Sequence, residues 1–141
     1  MKIKIKKVRE GAKLPTYEHH GDAGMDFYSR NTVHFLPSEQ KCVYTGIAIE
    51  IPEGHVGLIW DKSSISFKFG LKVVGGVIDS GHEKEVFIFM INNSNKEVVL
   101  EKGQKVAQMI IQKFEHCDIV EIEELSESVR GEGWLGSTGD K

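Results

Sequence analysis

Apolar residues along this chain recur mainly at every second position. Ile3 and Ile5 alternate with lysines near the start, and Ile47, Ile49 and Ile51 repeat the pattern in mid-chain. That period puts one set of side chains on a single face of an extended strand. Further strands are predicted over 55–60, 72–78, 85–92, 97–100, 106–114 and 119–123, where β-branched and aromatic residues gather. Turn-forming clusters separate the runs, notably Ile51-Pro-Glu-Gly54, Asn92-Asn-Ser-Asn95 and Glu101-Lys-Gly103. Only 63–69 reads as a short helical turn, with Ser63 as its cap. Many short strands with so little helix predict an all-β domain, a jelly-roll-like β-sandwich or barrel. No internal repeat is present, and no alternation of strand and helix supports a parallel nucleotide-binding sheet.

Composition adds bounds. A chain of 141 residues is one ordinary domain, long enough to bury roughly two-thirds of its unfolded surface without metal or disulfide staples. The 18 Lys and Arg against 21 Asp and Glu give a formal charge of -3, so no basic field holds nucleic acid and any anionic ligand needs a local site. Cys42 and Cys117 lack CxxC spacing, and the six His form no zinc pattern with them, which points to a reducing, cytoplasmic setting. Residues 1–7 alternate Lys with Ile, and no apolar run approaches the roughly 18 residues of a membrane span, so no membrane partner is expected.

The candidate chemistry lies in loops. Residues 130–141 carry four glycines and little that packs, so 129–141 is expected to be a mobile arm on a β-domain of 1–128. Its Gly131-x-Gly133-x-x-Gly136 follows no strand and opens no helix, which removes the dinucleotide-binding reading. Residues 57–63 likewise miss the second glycine of a P-loop. What remains is either a polar tail or a nest of backbone N–H donors that, with Arg130, Ser137 and Thr138, wraps a polyphosphate. Gly75-Gly76-Val77-Ile78-Asp79-Ser80-Gly81 reads as a hairpin entrance, with Asp79 either bonding its own turn or taking a proton from water. Asp61-Lys62-Ser63-Ser64 offers a cation and two hydroxyls to a phosphate, though a simple helix cap accounts for it equally. Asp22-Ala23-Gly24-Met25-Asp26 is a solvated turn or a metal site. Gln108 interrupts an otherwise apolar strand, so its amide is satisfied within the fold or reaches a ligand.

Taken in order, Ala23-Gly24-Met25-Asp26, Asp61-Lys62-Ser63-Ser64, Gly76-Val77-Ile78-Asp79, Gly103-Gln-Lys-Val-Ala-Gln108 and Arg130-Gly-Glu-Gly133 through Gly136-Ser-Thr-Gly139 resemble the five motifs of the trimeric dUTP diphosphatase family. The resemblance implies a jelly-roll-like β fold and a homotrimer with three shared active sites. It also implies Mg2+-dependent hydrolysis of dUTP to dUMP and pyrophosphate, which supplies dUMP and keeps uracil out of DNA. By the same resemblance Asp79 activates the water that attacks the α-phosphorus, and the backbone of Gly76, Val77 and Ile78 pairs with the uracil edge. Asp26 bears on the metal through water, Lys62, Ser63, Ser64 and Gln108 hold phosphate oxygens, and Arg130, Gly136, Ser137 and Thr138 close over the γ-phosphate.

Several residues depart from the family pattern. His82 stands where a Tyr normally packs on the deoxyribose, and Leu135, after Trp134, stands where a Phe stacks on uracil. One lost base-aromatic stack costs about 1–3 kcal/mol, which Trp134 offsets if it covers the base. Lys62 replaces Arg, a point charge for a bidentate fork, and Glu83-Lys84 adds a carboxylate near Asp79. These departures leave open a nucleotide-binding or regulatory protein on the same scaffold with weak or no turnover. The related dCTP deaminase reading requires a Glu ten residues beyond Asp79, where this chain has Phe89.

Overall fold

The protein was analysed as a computed structural model, which describes residues 1–126. Its elements in order are β1 (Lys4–Lys7), β2 (Met25–Tyr28), β3 (Val33–Phe35), β4 (Gln40–Glu50), β5 (His55–Asp61), α1 (Ser63–Phe69), β6 (Leu71–Val73), β7 (Val77–Ile78), β8 (Glu85–Asn92), β9 (Val98–Leu100) and β10 (Lys105–Lys113). Antiparallel pairing arranges one sheet as β1-β4-β8-β6, a second as β2-β10-β5-β7, and a small third as β3-β9. The alternation read from the sequence becomes the interior of this sandwich. Val43, Ile47 and Ile49 of β4, Val86, Ile88 and Met90 of β8, and Val106 and Met109 of β10 are almost wholly buried. Each such side chain contributes roughly 1.5–3 kcal/mol of transfer free energy. Among the described residues no helix is long and apolar enough to cross a membrane.

The structure corrects several local expectations. The run 72–78 is not one strand: β6 belongs to the first sheet and β7 to the second. The chain crosses between them at Gly75 and Gly76, both at positive φ. At Gly76 no other residue fits, because a Cβ would stand 2.6 Å from the Ile59 carbonyl oxygen. Residues 119–123 form no strand, and Ile119 is 98% exposed; the segment pairs with no strand of the described residues, and alternation without a partner makes no sheet. Ser63 is not the cap of α1. Lys62 occupies that position without any side-chain cap, and Gly70 ends the helix in the left-handed conformation. β2 and β3 were not anticipated, since each is too short to display a period.

Strand β10 fixes the geometry that matters below. It lies between β2 and β5, in a register that sets Gln108 opposite Asp26 on one side and Trp60 on the other. Directly opposed residues share a face of the sheet. Gln108 and Asp26 therefore project together, beside the strand end that leads into Lys62 and α1.

Candidate functional site

Asp26 is the electrostatic centre of the described site. It lies within β2 and is buried, because the segment through Thr16 runs along the open edge of that strand. Asp26 N–H donates to the Thr16 carbonyl at 2.7 Å, and Thr16 N–H donates back at 3.2 Å. The loop with two carboxylates expected from the sequence is thus only half solvated. A buried carboxylate demands partners, and it has two. Lys62 Nζ donates to Oδ1 at 2.9 Å, and Lys105 Nζ stands 2.8 Å from Oδ2. Burial opposes ionisation of Asp26, but the hydrogen bonds from Lys105 and Lys62 outweigh it and hold the carboxyl below its ordinary range. Reciprocally, Asp26 and then Glu18, which also accepts from Lys105, hold the Lys105 ammonium protonated well above its usual range.

Around this pair a polar pocket of about 470 Å³ is lined by residues from three of the sequence motifs. Gly24 and Asp26 come from the first, Lys62, Ser63 and Ser64 from the second, and Gln108 from the fourth. Gln108 is oriented by the fold: its Nε2 donates to the Asp61 carbonyl at 2.9 Å, which leaves Oε1 over Gly24. A side chain at residue 24 would collide with that amide. The fold therefore satisfies one hydrogen of the Gln108 amide nitrogen, and the second is the one with which this side chain, on the pocket wall, can donate to a ligand. With no side chain capping α1, the Ser63 and Ser64 hydroxyls are not consumed by helix termination.

Asp79, Gly76, Val77, Ile78 and His82 lie elsewhere in the chain. Gly76 and Val77 line a separate cleft of about 300 Å³ with Trp60, Asp61 and Lys72. Ile78 and Val77 pair with Gly57 and Leu58 of β5. Asp79 follows β7 on an exposed turn closed by the His82 N–H, which donates to the Asp79 carbonyl at 3.3 Å. His82 turns away into a groove beside β1, its Nε2 3.4 Å from the Glu85 carbonyl oxygen. Within one chain, then, the acidic hairpin and the phosphate-sized pocket do not face a common space. Arg130, Trp134, Leu135, Gly136, Ser137 and Thr138 lie outside the described residues.

A protein cage for a divalent cation is absent among the described residues, where no cluster of three His, Cys, Asp or Glu side chains has suitable spacing. Both Asp26 oxygens are engaged by ammonium groups. The pocket still fits Mg2+, which keeps most of its waters and binds through phosphates with one or two carboxylates. Asp22 and Glu18 line it beside Asp26, each with one oxygen engaged, Asp22 by the His19 N–H and Glu18 by Lys105, and the other open to a metal-bound water. Lys105, Glu18 and Asp61 went unrecognised as site residues in the sequence. Lys105 falls inside the fourth motif, but its partner lies 79 positions away and no spacing announces it.

A family model described as dUTPase matches residues 10–139. The curated relatives include a deoxyuridine 5'-triphosphate nucleotidohydrolase of Clostridium tetani, 42% identical over 139 residues, spanning 97% of this chain and 96% of that protein. One of the same name from a Hydrogenobaculum species is 42% identical over 144 residues, 100% of both. Among solved structures, a variant dUTPase of Staphylococcus bacteriophage 80alpha with dUpNHpp superposes with a TM-score of 0.91 at 29% identity, covering 98% of each chain. A variant dUTPase from S. aureus phage phi11, described for a structural Mg(II) ion, gives 0.84 at 26% identity over 90% of this chain and 100% of its own.

Proposed function

Because this chain belongs to the dUTPase family and hydrolyses dUTP, we propose that it does so by attack of water at the α-phosphorus with Asp79 as general base. The reading rests chiefly on the pocket in which Lys62, Ser63, Ser64 and Gln108 converge above the buried Asp26. A cation, two hydroxyls and an amide make a set of donors for phosphate oxygens, and phosphoryl transfer needs little beyond positioning and charge neutralisation. Asp79 takes the proton of the attacking water. The bond from the α-phosphorus to the bridging oxygen breaks, and pyrophosphate leaves with dUMP as the other product. The hairpin backbone at Gly76, Val77 and Ile78 reads the uracil edge. Arg130, Gly136, Ser137 and Thr138 bind the γ-phosphate, with Trp134 and Leu135 over the base and His82 beside the sugar. Asp22, Glu18 or Asp26 would hold Mg2+ through water, and the ion would supply charge neutralisation for the triphosphate.

The separation of Asp79 from the pocket supports a shared site, in which the hairpin of one chain serves the pocket of another in a homotrimer. Exposed apolar residues agree: Ile119, Val120, Ile122 and Leu125 are unburied, as are Tyr44, Phe87 and Phe89 on the outer face of the first sheet. The test is pyrophosphate release with Mg2+ from dUTP, UTP, dTTP and dCTP at equal concentration, for the wild type and Asp79→Asn. Selective release from dUTP, abolished in the variant while nucleotide binding persists, is expected. Full activity in Asp79→Asn refutes the mechanism, and cleavage of UTP locates a loss of sugar discrimination at His82.

A further inference from the structure

The crossing from β6 to β7 hangs from the end of β5. On the β7 side, Ile59 N–H donates to the Gly76 carbonyl at 2.7 Å. On the β6 side the contact is made by a side chain: Asp61 Oδ1 accepts from the Val73 N–H at 2.6 Å, and Lys72 Nζ stands 3.5 Å from Oδ2. β6 is the edge of the first sheet and β5 lies in the second, so this carboxylate ties the two sheets together where the chain passes between them. The same residue serves the pocket through its main chain, since its carbonyl accepts from Gln108. Lys62 and Ser63 follow it directly. One residue thus contacts both halves of the machinery, the side chain on the approach to Asp79 and the backbone on the phosphate grip.

We infer that Asp61 is a positioning residue that sets the Asp79 hairpin through its bond to the Val73 amide, acting on turnover and not on phosphate binding. The inference rests on the proposed role of Asp79. Without the strap, the Val73 N–H loses its acceptor, and the tie of the crossing to β5 falls to the Ile59–Gly76 bond while the Val74 N–H still holds the Phe89 carbonyl of β8, next to two glycines that offer no stiffness of their own. A small displacement of a catalytic group lowers rate strongly, because reaction demands near-attack geometry. Gln108 keeps its acceptor in any side-chain variant, so the pocket is unaffected.

The experiment compares Asp61→Ala, Asp61→Asn and Lys72→Ala in the full chain by steady-state kinetics, inhibition by Mg-pyrophosphate, and amide exchange at Val73, Val77 and Ile78. In Asp61→Ala, kcat is expected to fall at least tenfold while the pyrophosphate inhibition constant stays within twofold and exchange accelerates at all three amides. Asp61→Asn, which keeps an acceptor oxygen, and Lys72→Ala, which removes only the ion pair, are expected within threefold of wild type. If Asp61→Ala does not fold, Asp61→Glu displaces the acceptor with its charge retained, and kcat is expected to fall at least threefold. The inference is overturned by wild-type kcat in Asp61→Ala or Asp61→Glu. It is also overturned by equal losses in Asp61→Asn or Lys72→Ala, or by pyrophosphate binding that weakens in parallel with kcat. Full activity in Asp79→Asn would refute the proposed role of Asp79 instead, and the exchange rates would then decide on the strap alone.

Discussion

Replacing Lys105 by Met removes one of the two cations that make the buried Asp26 tolerable, and the cost can be worked from the geometry. At 2.8 Å and an effective dielectric of about 20, the gross attraction is about 6 kcal/mol. Most of it is offset by the desolvation of both groups, and charge-assisted hydrogen bonds of this kind retain about 1.5–3 kcal/mol. The second partner, Lys62 at 2.9 Å, remains, so the loss stays below the roughly 3–5 kcal/mol of an abandoned buried charge. Met preserves the apolar stem, and the exposed Glu18 contact adds little. The expected destabilisation at pH 7 is about 2 kcal/mol.

Its pH dependence separates this account from simple loss of packing. Asp26 has a folded pKa held below the ordinary 3.8. Its contribution is therefore complete above about pH 5 and disappears as the pH falls through the lowered folded value. Losing Lys105 moves that value upward, so the difference between wild type and variant is largest at neutral pH and shrinks on acidification. Urea unfolding at fixed protein concentration, repeated at several pH values from neutral downward, measures it. A difference that is absent at neutral pH, or that persists undiminished below the Asp26 folded pKa, refutes the reasoning.

Two further outcomes follow from the site and the exposed tail segment. Gly24→Ala should push the Gln108 amide off the Asp61 carbonyl and raise KM for dUTP about tenfold, since a positioned donor is worth about 1–1.5 kcal/mol; steady-state kinetics would show it, and an unchanged KM would mean that Gln108 does not hold substrate. Ile119→Asp combined with Ile122→Asp should drive the proposed homotrimer toward single chains, since two apolar side chains buried between copies would contribute about 3–6 kcal/mol per subunit; sedimentation of an intact trimer would show that these residues are not buried between copies.

How much of this was legible beforehand depends on how far each feature reaches along the chain. β8, β10 and the end of β4 from Ile47 were readable because their apolar patterns run over enough residues to exceed chance, while the first part of β4, residues 40–46, carries no such pattern and was not. β2 and β3 were not, because four and three residues cannot display a period, and what makes them strands is pairing with β10 and β9. The opposite error at 119–123 has the same origin. A period of two states that a segment suits a sheet, and here no strand of the described residues pairs with it. The site divided along the same line. Lys62, Ser63, Ser64 and Gln108 are legible from residue type and order, whereas the Asp26 pairing with Lys105 exists only once β10 lies beside β2, and the Asp61 strap only once the edge strand β6 meets the end of β5.

The charge of the pocket bears on what must accompany the substrate. Glu18, Asp22 and Asp26 place three carboxylates around it, and the described ammonium groups within reach are Lys62 and Lys105, both already engaged with Asp26. A triphosphate entering that space meets hydroxyl and amide donors but no surplus of positive charge, so the chain in isolation offers it geometry more than attraction. The missing charge has to arrive with the nucleotide or from another part of the protein. In the proposed mechanism Mg2+ on the phosphates would supply it in one way and Arg130 in another. On that proposal Asp26 would act less as a ligand than as the anchor of Lys62, whose ion pair with it fixes a cation on a flexible stem at the pocket before substrate binds.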